Sequence, residues 1–234
     1  MPIRMNYYVT PENDVMHRFH IPLSHFQMYS NDMENYLLKK RIKANYEEDE
    51  FEIDDEEEEN GLENTWQYFL GDKHMYSIQF PNILRSSLLI SIYSFLENQL
   101  IRLCKELQIK MNLSVKFNSI SGKGIEKAKV YLSDVVKLDF PSNSPEWQRI
   151  NNYQTIRNCF AHSEGIVKDD DKKLLRSVEK IDNVSIQGDI VLGKSIILGK
   201  DFISDFINTI KAFWRNIEEQ YLELLYPLHY WYKK

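Results

Sequence analysis

Asn151-Asn152-Tyr153-Gln154-Thr155-Ile156-Arg157-Asn158-Cys159-Phe160-Ala161-His162-Ser163-Glu164-Gly165 is a helical pattern that ends on a glycine. At ~100° per residue, Asn158 and His162 fall about 40° apart on one helix face, where the Asn158 amide can hold the imidazole in one tautomer. Arg157 lies five residues from His162, about 140° around the same helix. The two therefore converge only if the helix frays near Gly165 or a second copy of the chain contributes. Ile156 and Phe160, at i and i+4, are expected to anchor the opposite face in a core. The small Ala161 leaves the surface beside Arg157 open.

Upstream, Ser144 suits an N-cap and Pro145 the first helical position, and Trp147, Ile150, Tyr153 and Ile156 repeat at helical spacing. The motif thus sits at the far end of its helix. A second helix opens at Pro81 and runs to about Lys110. Leu84, Leu88, Leu89, Ile92, Phe95, Leu96, Leu100, Leu103 and Leu107 cover much of its circumference, as in a helix buried on more than one side. Glu97 interrupts that surface, and a lone buried carboxylate is costly. It is expected either to pair within the chain or reach the surface, or to orient Arg157 or His162.

Arg-Asn-x-x-x-His late in a helix, with the Leu84–Leu107 helix before it and a third helix after it, resembles the active-site motif of the HEPN superfamily (higher eukaryotes and prokaryotes nucleotide-binding). The resemblance covers roughly Phe80 to Tyr226. It implies a mainly α fold, a HEPN-like helical bundle, and a metal-independent endoribonuclease of the toxin–antitoxin or phage-defence kind. It also implies a homodimer with a composite active site, RNA as substrate, and an antitoxin or regulatory protein as a further partner. Arg157, His162 and Asn158 are the expected site residues, with no cofactor and no metal. Members paired with a nucleotidyltransferase antitoxin often carry Tyr two residues after the His; this chain has Glu164 there.

The chemistry suits RNA. A 2′-hydroxyl attacks its neighbouring phosphate when a base takes its proton, an acid protonates the leaving 5′-oxygen and a cation steadies the equatorial oxygens. Histidine titrates near neutral pH and serves either proton-transfer role, while arginine stays charged and forks onto phosphate oxygens. DNA lacks the attacking hydroxyl. Other readings stay open: a nucleotide- or RNA-binding module without cleavage, and a structural or partner-binding helical protein. In the plainest of them, His162 gains from the helix C-terminus and Arg157 pairs with Glu146 or Glu164.

The 234 residues are expected to form one domain, with a core over about 80–226, a helical extension over about 14–46, an acidic inter-helix loop over about 47–60 and a small β insertion over about 183–199. Glu47 to Asn60 holds 11 of the 35 acids and no base, leaving 24 acids against 29 Lys and Arg, a body at about +5. A mildly basic body can hold an anionic polymer. The acidic run itself reads as a solvated loop or as an internal competitor for that site. No apolar run approaches ~18 residues and Met1 to Thr10 lacks a signal peptide's apolar stretch, so a cytoplasmic chain without membrane spans is expected. Cys104 and Cys159 lie in apolar helical patterns and are expected as buried thiols.

Pro22 to Tyr46 reads as a helix with an apolar stripe of Leu23, Phe26, Tyr29, Met33, Tyr36 and Leu37, ending in Lys39, Lys40, Arg41 and Lys43. Those cations favour the helix C-terminus or contact phosphate. His17, His20 and His25 lack companion carboxylates or thiols, and Pro22 interrupts a shared face, so no metal site is expected. Leu62 to Gln79, with a turn at Gly71-Asp72, reads as irregular or a short hairpin. Gly122-Lys123-Gly124 reads as an inter-helix turn before a helix through Val135, since it matches no phosphate-loop pattern. Val184–Gln187, Ile190–Leu192 and Ser195–Leu198 read as three β pieces with turns at Gly188-Asp189 and Gly193-Lys194. Asp201 is expected to cap a last helix of Phe202, Ile203, Phe206, Ile207, Ile210, Phe213, Trp214, Ile217 and Leu225, stopped by Pro227. The tail His229-Tyr230-Trp231-Tyr232-Lys233-Lys234 suits packing, a partner interface or base stacking.

Overall fold

A computed structural model describes residues 16–49, 71–189 and 193–225; most of the acidic run, the Ile190–Leu192 piece and the aromatic tail lie outside them. The described chain is mainly helical: α1 (Ile21–Asp49), α2 (Phe80–Lys110), α3 (Gly124–Val130), α4 (Pro145–Ser163), α5 (Lys172–Glu179) and α6 (Phe202–Leu225). Between α5 and α6 a two-stranded antiparallel sheet pairs β1 (Val184–Asp189) with β2 (Gly193–Leu198). The chain divides into two compact units, one drawn from Met1–His25, Ile92–Asn151 and Ile207–Lys234, the other from Phe26–Ser91 and Asn152–Phe206.

In the first unit the core is aromatic and aliphatic together. Ile92, Leu96, Leu100, Leu103 and Leu107 of α2 are buried along one stripe, with Tyr93 and Cys104 buried beside it; the burial forms one broad face, with Asn98, Arg102 and Lys105 exposed opposite, and not the burial on more than one side that the sequence predicts. Phe19 stacks on Trp214 with ring centroids 3.9 Å apart. Trp147 packs on Phe213 at 5.4 Å and edge-on to Phe140 at 4.8 Å. Such rings bring large apolar area and favourable edge-to-face geometry together.

Beside this core sits a charged knot. The Glu106 carboxylate accepts hydrogen bonds from Arg18, from Lys110 at 2.6 Å and from the Tyr221 hydroxyl at 2.6 Å. Burial pushes the Glu106 carboxyl up, but these three donors and the Arg18 charge outweigh it and hold its pKa at about 2. Burial and the Glu106 hydrogen bond push the Tyr221 hydroxyl up to about 12. A depressed carboxyl contributes stability that is present above its unfolded value, near 4.5, and lost as pH falls towards 2. Glu106→Gln is therefore expected to lower unfolding free energy at pH 7 by roughly 2–3 kcal/mol, with the gap from wild type closing between pH 4.5 and 2. Urea unfolding of both proteins at pH 7 and pH 3 checks this; a gap independent of pH would contradict it.

Several expectations are corrected. Of the Leu62–Gln79 stretch, residues 62–70 lie outside the described ones, and residues 72–79 are helical, neither irregular nor a hairpin: Asp72–His74 leads into a π-turn over Met75–Gln79 that joins α2. The Phe80 N–H reaches back to the Met75 carbonyl, a five-residue register. It falls where Pro81, which has no N–H, breaks the ordinary ladder. A second π-turn, Met16–His20, precedes Pro22 in the same way, so that proline continues a helical run instead of interrupting it. On α1, Leu23 and Leu37 are buried as expected, but Tyr29 and Tyr36 are exposed. Seven residues apart, they share a face that lies about 80–100° from Leu37.

The charged stretch after the motif also holds an unexpected helix, α5. Asp171 caps it, its Oδ1 accepting the Leu174 N–H at 3.0 Å, and Leu174 and Val178 are buried. Among the described residues the β region is one two-stranded ladder: Gly188 pairs with Lys194 and Asp189 with Gly193, so the described glycine positions expected as turns lie inside it. Ser144 does cap α4, its hydroxyl accepting the Trp147 N–H at 3.1 Å. Asp201 does precede α6, its carbonyl taking the Asp205 N–H at 2.9 Å.

Candidate functional site

The site lies in the second unit, at the C-terminal end of α4. Tyr153 and Ile156 are fully buried there, Tyr153 packing on Phe202 and Phe206 at 5.4 and 4.4 Å. That anchoring turns the next positions of the helix outward. Arg157 is half-buried, and Asn158, Ala161, His162 and Ser163 are exposed.

Arg157 Nη1 donates to Asn158 Oδ1 at 3.0 Å. The Asn158 hydrogen bond is thus made to the arginine and not to the imidazole, although Asn158 and His162 share a face by their spacing. His162 makes no hydrogen bond or ion pair with another described residue. α4 stays helical through Ser163, so within one chain Arg157 and His162 remain about 140° apart around the axis. Glu97, in the other unit, lies with its carboxylate against Gly124.

The end of α4 is held in place from outside. Glu164 and Gly165 take positive φ values of 53° and 84°, and the chain then runs along β2. Ile196 N–H donates to the Gly165 carbonyl at 2.9 Å, Val167 N–H to the Lys194 carbonyl at 2.8 Å, and Ile166 bridges Ser195. Further along the same edge of β2, the Asn82 amide takes both roles of a strand, donating to the Ile196 carbonyl and accepting the Leu198 N–H, each at 3.0 Å. Arg85 donates to the Leu198 carbonyl at 2.6 Å and forks onto Glu34 at 2.7 and 2.8 Å. A sheet edge that would offer unpaired groups is closed by side chains. The small β element is therefore a brace on the motif helix.

Beside Asn158 opens a cleft of about 260 Å³, lined by Thr155, Asn158, Cys159, Ser163, Ile166, Lys168, Asp171, Lys173 and Leu174. Cys159 and Leu174 are buried while the hydroxyls and charges reach solvent. Burial, with Asp171 nearby, pushes the Cys159 thiol up, and its Sγ donates to the Ile166 carbonyl at 3.3 Å. That makes it a structural thiol and not a nucleophile. Burial likewise pushes Cys104 up to about 12. Both cysteines are free and buried.

Sequence reasoning names Arg157, Asn158 and His162 but misses Thr155, Ser163, Lys168 and Lys173 around the cleft. The signal available was Asp171 followed by Leu174, Leu175 and Val178, an N-cap with apolar helical spacing, which would have folded the two lysines back towards α4. Among the described residues no three His, Cys, Asp or Glu side chains gather as a metal site, and no helix is long and apolar enough to cross a membrane.

No family model, no curated protein and no solved structure matches the chain.

Proposed function

We propose that this chain is a HEPN-like endoribonuclease that cleaves RNA by attack of the 2′-hydroxyl, with Arg157 and His162 as its catalytic groups. One observation carries the reading: a half-buried Arg157 steadied by Asn158, and an exposed His162 with no described partner, stand at one braced helix end, where Asn158 also lines an open cleft with Lys168 and Lys173.

In this mechanism Arg157 binds the equatorial oxygens of the scissile phosphate, and its bond to Asn158 fixes the fork before substrate arrives. His162 takes the 2′-hydroxyl proton or gives one to the leaving 5′-oxygen. The phosphate ends as a 2′,3′-cyclic ester, with a 5′-hydroxyl on the departing strand. One imidazole does not reach both sides of a phosphate, and Arg157 and His162 diverge on one helix. A two-fold homodimer supplies the second His162 and closes the gap. The bundle is read as HEPN-like on the same motif, and a role as a toxin or phage-defence effector, with an antitoxin or regulatory partner, follows from that reading.

The divergence of Arg157 and His162 favours a second reading, an RNA- or nucleotide-binding module that does not cleave. An oligoribonucleotide with one 2′-deoxy nucleotide at a mapped cleavage position separates the two. Cleavage at that position is expected to vanish while neighbouring positions are still cut. Cutting that ignores the missing hydroxyl would contradict the mechanism, and binding without any turnover would establish the second reading.

A further inference from the structure

The outward face of α1 carries more large exposed side chains than any other helix among the described residues. Met28, Tyr29, Tyr36 and Tyr46 are 62%, 52%, 50% and 71% exposed, and Ile42 adds to them. By helical spacing Met28, Tyr36 and Tyr46 fall within about 80° of one another, with Tyr29 at the margin and Lys39 and Lys43 between them. The opposite face, with Ser30, Leu37 and Ala44, is buried, so the exposed tyrosines are not a misplaced core stripe. Lys40, at the edge, lies 5.8 Å above the Tyr36 ring and 6.0 Å from that of Tyr76.

A solvated helix face normally carries short polar and charged groups, and a protein interface, though rich in tyrosine and methionine, is depleted in lysine. This face sets lysine ammonium groups among tyrosine rings. Tyrosine offers a flat surface to any base, and lysine meets the phosphates between bases. From Met28 to Tyr46 the helix extends about 27 Å, the length of roughly eight stacked nucleotides at ~3.4 Å each. A second copy of this chain fits less well: burying this face against its two-fold equivalent would take Lys39 and Lys43 out of water, and lysine is depleted from such interfaces.

We propose that the α1 face, through Tyr29, Tyr36, Tyr46, Lys39 and Lys43, is a stacking track for single-stranded nucleic acid. The track binds by base faces and phosphates, so it requires no 2′-hydroxyl and stands apart from the cleavage chemistry.

The test uses the full chain and a fluorescent 12-nucleotide 2′-O-methyl oligouridylate, which no 2′-hydroxyl mechanism can cut, read by anisotropy. Tyr36→Ala and Tyr46→Ala are each expected to weaken binding roughly tenfold, while Tyr36→Phe keeps it. Lys39→Gln with Lys43→Gln is expected to flatten the dependence of log affinity on log salt, by roughly 0.7 for each lysine on a phosphate. Unchanged affinity in all these variants, or no binding by the wild type, overturns the proposal. So does light scattering that shows the tyrosine variants dissociating an oligomer while the oligonucleotide still binds, since the face would then be a self-contact. Failure of cleavage with intact α1-dependent binding would instead count against the ribonuclease reading alone.

Discussion

His162→Ala is expected to lower the turnover of a cleavable oligoribonucleotide by two to four orders of magnitude, the range for loss of a general acid or base, with no change in melting temperature. The two halves of this expectation come from the same observation. His162 is exposed and makes no hydrogen bond or ion pair with another described residue, so its removal costs the fold little. A catalytic imbalance of that size with an unchanged fold separates chemistry from structure. A histidine that only settles the helix C-terminus would behave in the opposite way, with a loss of up to about 1 kcal/mol in stability at low pH and no effect on turnover. Steady-state kinetics and calorimetry on the two proteins decide between them. Turnover within threefold of wild type would remove His162 from the mechanism.

The second large effect belongs to Gly165. Its φ of 84° lies in the left-handed region, and a Cβ built there would stand 2.7 Å from Phe160 Cε1. Both problems arise at once: backbone strain that L-residues rarely tolerate, and overlap with a ring half-buried on the same helix. The Gly165 carbonyl also receives the Ile196 N–H that ties the helix end to β2. Gly165→Ala is expected to cost about 2–4 kcal/mol, combining left-handed strain with overpacking, and to loosen the brace that sets the site. Relieving the ring with Phe160→Ala in the same chain is expected to recover part of the loss, by non-additivity of neighbours. Denaturant unfolding of the single and double variants measures this; strict additivity would mean that the ring contact is not the cause.

Much of this arrangement is legible in the sequence, because it rests on local rules. Ser144 and Pro145 mark a helix start by capping chemistry, and Gly165 marks a stop by its conformational range. The leucines of α2 mark it as a core helix, although those that are buried close on one broad face and leave Asn98, Arg102 and Lys105 exposed. The failures have physical causes of the same kind. Gly71-Asp72 and Pro81 punctuate the sequence, yet a π-turn absorbs the missing N–H of Pro81 and keeps the helix going. Tyr29 and Tyr36 count as apolar in a periodicity, but tyrosine is amphipathic and the stripe closes without them. Lys172-Lys173 hides the apolar spacing of α5 behind charge. The Arg157–Asn158 bond joins adjacent residues about 100° apart on the helix, and it depends on the length of the arginine side chain, which a face diagram does not contain. Asn82 and Arg85, more than 110 residues from the strand edge they close, leave no local signal at all.

The most direct measurement is the cleavage of total RNA in the presence of EDTA by the wild type, by Arg157→Ala and by His162→Ala, each verified as folded. Cleavage by the wild type alone, leaving 2′,3′-cyclic or 3′-phosphate ends, is the predicted result. Wild-type cleavage that survives in both variants, or that leaves 3′-hydroxyl ends, would contradict the assignment of Arg157 and His162 as the catalytic pair.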